Sequence, residues 1–107
     1  MDDPTPLPRP TAAHYRVAAD VALYHARREQ DEGDRLARAN HVWVAAVCYR
    51  EAVSGYRYAA EALERAGDLS DHSEDVRVAW RHRVEAERLD ALVLAIMDGN
   101  PLDVQPR

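Results

Sequence analysis

The stretch AAVCYREAVSGYRYAAEALERA, residues 45–66, decides the fold because two apolar seams run through it side by side. Val42, Ala46, Tyr49, Val53, Tyr56, Ala60 and Leu63 recur at alternating steps of four and three, and several of them are large. Ala45, Cys48, Ala52, Gly55, Ala59, Ala62 and Ala66 recur at steps of three and four, with nothing larger than cysteine. Both rows have the period of an α-helix. A helix with two adjacent apolar faces needs two neighbours. The large seam calls for a partner of similar bulk, while the small seam lets a second backbone approach closely.

The flanking sequence supplies both partners. Thr11, just after Pro10, is suited to N-cap a first helix in which Ala12, Tyr15, Ala19, Ala22 and Ala26 repeat at helical spacing. Gly33 and Asp34 read as its C-cap and as a new N-cap, so it is expected to end near Glu32. The second helix then starts at Asp34 or at Asn40 and ends at Ala66, before Gly67. Asp71-His-Ser-Glu74 has capping-box spacing and opens a third helix, which runs to about Asp98 and stops at Gly99-Asn100-Pro101. In that helix Ala79, Ala86, Leu89, Val93 and Ile96 form the buried stripe, interrupted by His82. No segment alternates as a strand does. Short turns between helices give antiparallel neighbours, so the expected fold is all-α, a three-helix up-down-up bundle with a long central helix. Residues 1–10 (MDDPTPLPRP) read as a disordered proline-rich tail, 11–98 as the bundle and 99–107 as a C-terminal tail.

A chain of 107 residues holds one domain at most. No apolar run approaches the ~18 residues that cross a bilayer, and the acidic, proline-rich start lacks a signal peptide's apolar core. A lone Cys48 forms no internal disulfide, which fits a reducing cytoplasm. A net charge of −5 weighs against nucleic acid as a partner. All fourteen basic residues are arginine, the coding bias of a high-GC, actinobacterial type of genome.

The same reading locates surfaces. A turn near residue 69 sets Val42–Tyr49 opposite Leu89–Ile96, and both runs are apolar almost all the way round. A turn near residue 33 lets the first helix reach only about as far as Gly55. Trp43, Val44, Val47, Leu92 and Met97 are then too many for three helices to hide, and self-association through them is expected. At the far end Tyr56, Tyr58 and Trp80 lie beyond the first helix and read as a surface for a second, different protein.

Catalytic and ligand signals are sparse. The four glycines are isolated, so there is no phosphate loop, and no nucleophile elbow occurs. No cofactor or metal is expected: Glu-x-x-His pairs are absent, and His25 with Glu29 reads as a solvated helix face. His41 and His82 lie too far apart in the expected register to share an ion. Cys48, within the small seam, reads as a core residue.

Two resemblances add to this. Ala52-x3-Tyr56-x2-Ala59 resembles the second-helix signature of tetratricopeptide-type repeats, and a bundle of this length is similar to MIT-type three-helix adaptors. The repeat's Trp-x2-Leu-Gly start and closing proline are absent and no second copy follows, so the likeness implies a single protein-binding helical module and not an array. Arg77-Val-Ala-Trp-Arg-His82 resembles the Arg-x4–6-His motif of the HEPN family, all-helical RNases and toxin partners. It implies Arg77 and His82 as a catalytic pair duplicated across a homodimer, although Val78 stands where that family tends to carry a polar residue. Arg35 and His41 fit a looser spacing. The resulting expectation is a self-associating protein–protein interaction module, with a dimeric RNase or antitoxin as the alternative.

Overall fold

A computed structural model describes residues 8–99; the N-terminal and C-terminal residues beyond these, with most of both expected tails, lie outside the description. The chain forms α1 (Ala12–Arg38), α2 (Val42–Ser70) and α3 (Ser73–Met97), packed antiparallel in a three-helix bundle with no strand among the described residues. α1 and α3 both pack on α2, and no Cα of α1 comes within 8 Å of one in α3. The central helix is therefore the only one with two backbone neighbours, as its double seam requires.

The first helix begins where the sequence places it. The Thr11 hydroxyl accepts from the His14 backbone N–H, and the Thr11 N–H donates to His14 Nδ1 at 3.0 Å, a reciprocal cap with histidine in the usual glutamate position. Its end is different. α1 runs through Gly33 to Arg38 and is stopped by Asn40, whose φ of 65° is left-handed. The Asn40 N–H donates to the Ala37 carbonyl and the His41 N–H to the Leu36 carbonyl, the double bond pattern that glycine usually closes. Asparagine tolerates this conformation and takes glycine's place.

Gly33 is instead buried inside the helix. A Cβ there would lie 2.7 Å from Tyr49 Cε1, so the missing side chain makes room for a ring. Gly67 is likewise no cap: α2 continues through it to Ser70, and its bare face receives Val76, to which a Cβ would come within 2.9 Å. Asp71, in left-handed conformation with φ of 56°, ends α2 through its N–H to the Gly67 carbonyl. An N-cap needs extended backbone, so the expected Asp71 capping box does not form, and His72 precedes α3 without a side-chain cap. Only Gly99, at φ of 74°, stops a helix as expected.

The later turn at Asn40 lengthens the reach of α1. α1 extends over the whole of α2, and Arg16 reaches Ser70 and Asp75 at the far turn. Contacts between α2 and α3 run from the Tyr56–His82 stack, which keeps the expected register, through Gly67 on Val76 to the ion pairs Arg57–Asp90 and Glu64–Arg83, whose long side chains reach beyond it.

The core matches both seams. Ala45, Ala52, Ala59, Ala62 and Ala66 of the small row are buried, as are Ala46, Tyr49, Val53, Tyr56, Ala60 and Leu63 of the large row. α3 contributes Ala79, Ala86, Leu89, Val93 and Ile96, the five residues that its periodicity selects. A Cβ on Gly55 would lie 2.8 Å from Ala26 Cβ and 3.2 Å from the Ala22 carbonyl oxygen, so α1 and α2 touch backbone to backbone here. Replacing Gly55 or Ala59 with leucine is expected to destabilise by about 1–3 kcal/mol through overpacking. Thermal or urea unfolding measures the change; an unchanged midpoint for either variant would place the small seam in solvent.

Candidate functional site

Two regions carry the side chains that sequence reasoning singled out: the seam where α1 and α3 face each other across α2, and the outer face of α2 and α3.

The seam is polar because two helices that do not pack backbone to backbone can meet only through long side chains. Arg16 of α1 donates through Nε and Nη2 to Asp75 of α3, with the closest contact 2.8 Å, and also to Ser70 Oγ. That guanidinium holds the Asp75 carboxyl below its usual range. Midway, Tyr56 donates to Gln30 Oε1 at 2.6 Å, and Gln30 Nε2 donates to Glu85 at 2.9 Å. Arg88 donates to the same carboxylate and lowers its pKa. At the other end Tyr49, fully buried, donates to Asp34 Oδ1 at 2.6 Å. Burial pushes both phenols up, further in Tyr49, where the Asp34 hydrogen bond adds to it. Each tyrosine thus fills the core with its ring and satisfies its hydroxyl at the rim.

His82 completes the row. Its ring stacks on Tyr56 with centroids 6.1 Å apart, and its Nε2 is enclosed without a hydrogen-bond partner among the described residues. Burial first, then the positive charges of Arg27 and Arg81, pushes its pKa down. Arg77 points elsewhere: it is exposed and pairs with Glu74 on its own helix at 3.5 Å. Five residues turn a helix by about 140°, so Arg77 and His82 of one chain do not converge. Arg35, of the looser spacing, pairs with Glu32, and His41 lies at the start of α2. Cys48 is half-buried, and burial with Glu29 nearby pushes its thiol up. No group of three or more potential metal ligands occurs among the described residues.

The outer face is apolar at both ends. Trp43 is 65% exposed, Val47 60% and Met97 56%, with Val44 exposed towards the α1 edge. Leu92 is not with them: it packs half-buried against the core. Leu94, 55% exposed, takes its place beside Met97. At the other end Trp80 is 66% exposed, flanked by Val76 and Val84. Tyr58 is exposed beside Tyr15, where Glu61, Ala62 and Arg65 complete a small cleft of about 100 Å³. Tyr56 lies inside the bundle, because α1 extends far enough to cover it. Val84 and Leu94 were missed by sequence reasoning. Their signal is the row Val76, Trp80, Val84, Ala91 and Leu94, which lies on the opposite side of α3 from its core stripe.

The seam has a pH signature. The folded-state pKa of His82 lies below its unfolded value, so its contribution to stability is complete above the unfolded value of about 6.5 and is lost as pH falls below it. Asp75 and Glu85 are depressed, so their stabilisation persists until pH falls below the ordinary carboxylate range. His82→Phe keeps a ring on Tyr56 and removes the titration. Between pH 7.5 and 5 the wild-type melting temperature is expected to fall more than that of His82→Phe; parallel slopes would show that the imidazole is not desolvated.

Compared with protein-family models, with curated proteins and with solved structures, the chain matches none.

Proposed function

We propose that this chain is a small self-associating helical module that acts through protein–protein contact, as an accessory, adaptor or regulatory subunit. The observation that carries the reading is the outer face of α2 and α3, where Trp43, Val47, Leu94 and Met97 at one end and Val76, Trp80 and Val84 at the other stand in solvent. Large exposed apolar areas on a chain of this size mark contact surfaces, and tryptophan, tyrosine and arginine are the residues that anchor them. Arginine pairs such as Arg57–Asp90 and Arg83–Glu64 run between the two ends and give the face a polar middle. The cleft at Tyr15 and Tyr58 offers a second, smaller surface to a different protein.

The alternative of an Arg–His RNase draws no support from the geometry of one chain. His82 lies against Tyr56 with Arg27 beside it, and Arg77 is engaged with Glu74.

Light scattering at micromolar concentration tests the proposal. The wild type is expected to give at least twice the mass of one chain, and the double variant Trp43→Glu/Leu94→Glu is expected to approach a single chain, since each carboxylate would have to be desolvated in the contact. A wild type that stays a monomer at high concentration ends the proposal.

A further inference from the structure

The outer side of α3 carries a pattern of side-chain sizes along its length. Val76, Trp80, Val84, Glu87, Ala91 and Leu94 lie within one narrow stripe, which spans about 27 Å at the helical rise. Of these, Trp80, Val84 and Leu94 are large and exposed, Val76 is half-exposed with one methyl against Gly67 of α2, and Ala91 is small. The order of sizes is self-complementary on reversal. Two such helices laid antiparallel about a two-fold axis between Val84 and Glu87 set Trp80 against Ala91 of the other copy and Val76 against Leu94. The bulkiest side chain meets the smallest, at both ends, by symmetry.

Charge agrees with this register on one rim. Arg83 at the rim and Glu87 within the stripe lie on the same side of its midline, and the reversal places Arg83 of each copy beside Glu87 of the other. Arg83 already leans towards Glu64 of its own chain, and Glu87 has no ion pair among the described residues, so its carboxylate is free to accept. On the opposite rim the charges of Arg77 and Arg88 are offset by Glu74 and Glu85 on the same helix, and Arg81 has no such partner among the described residues.

We infer that α3 is the seat of a two-fold contact with a second copy of this chain, antiparallel helix on helix, in which Trp80 packs on Ala91 and Arg83 pairs with Glu87. The inference rests on the self-association proposed above and adds its axis and register.

Charge reversal tests the register without an identified ligand. In Arg83→Glu, two acidic side chains face each other across the axis, and in Glu87→Arg two basic ones do. Each variant alone is expected to dimerise more weakly than the wild type, on the order of tenfold for converting two rim pairs from attraction to repulsion. Mixed in equal amounts, they are expected to form a heterodimer of near wild-type affinity, because opposite charges then meet at both positions. Glu87→Arg breaks no pair within its own chain, and unchanged helicity and melting of both variants separate a contact effect from a folding one. A second measurement uses size: Trp80→Ala weakens the dimer, and Trp80→Ala/Ala91→Trp restores it by exchanging the two partners. If the wild type dimerises but neither the mixture nor the size exchange restores affinity, the axis is elsewhere and only this inference falls. A monomeric wild type removes both readings.

Discussion

Everything in this bundle depends on how closely α1 can approach α2. At Gly55 the two backbones touch: a single added Cβ would press on Ala26 and on a carbonyl of α1. The alanines of the small seam, fully or almost fully buried, extend that approach along the helix. Each alanine methyl contributes only about 0.8 kcal/mol of burial, so the contact is stabilised by its length and not by any one residue. A close α1–α2 contact also fixes where α1 lies relative to α3. Because the large seam sits beside the small one on α2, α3 is held next to α1 but out of backbone contact.

That spacing explains the chemistry of the seam. A gap bridged by tyrosine, glutamine, glutamate and arginine has to satisfy every hydroxyl and amide that it encloses, since an unpaired buried polar group costs more than a paired one returns. Tyr49 and Tyr56 do this from the core outward, through Asp34 and Gln30, and Gln30 passes the contact on to Glu85. His82 is the exception, packed on Tyr56 with one nitrogen unpartnered among the described residues. The shifted pKa values in this row follow from packing α1 against α3, and the row brings no nucleophile beside a base. Perturbed titration marks a functional site only when geometry supplies the rest of the constellation.

The outer face reflects the same arrangement from the other side. α2 spends two faces on its neighbours and α3 spends one, which leaves the back of α3 and the third face of α2 to water. Apolar residues at these positions are only partly buried in the single chain, and a contact between copies would give the rest of their surface a role. The polar middle of the face, with Arg57–Asp90 and Arg83–Glu64 between two apolar ends, would set register in such a contact while the ends supply most of its stability.

The sequence by itself determined the number of helices, their antiparallel order, the two-seam logic of α2 and the buried stripe of α3, because each follows from a 3.6-residue period read locally. It also determined the Thr11 cap and the Gly99 stop. Tertiary structure alone decided the meaning of Gly33 and Gly67. A glycine that ends a helix and a glycine that admits a neighbour look the same in sequence, and only the Tyr49 ring and Val76 distinguish them here. From that one ambiguity followed the late turns at Asn40 and Asp71 and the longer reach of α1. The reach of α1 in turn placed Tyr56 in the core. A local period fixes which face of a helix is buried, but where the helix turns depends on neighbours distant in the chain, which the period does not record.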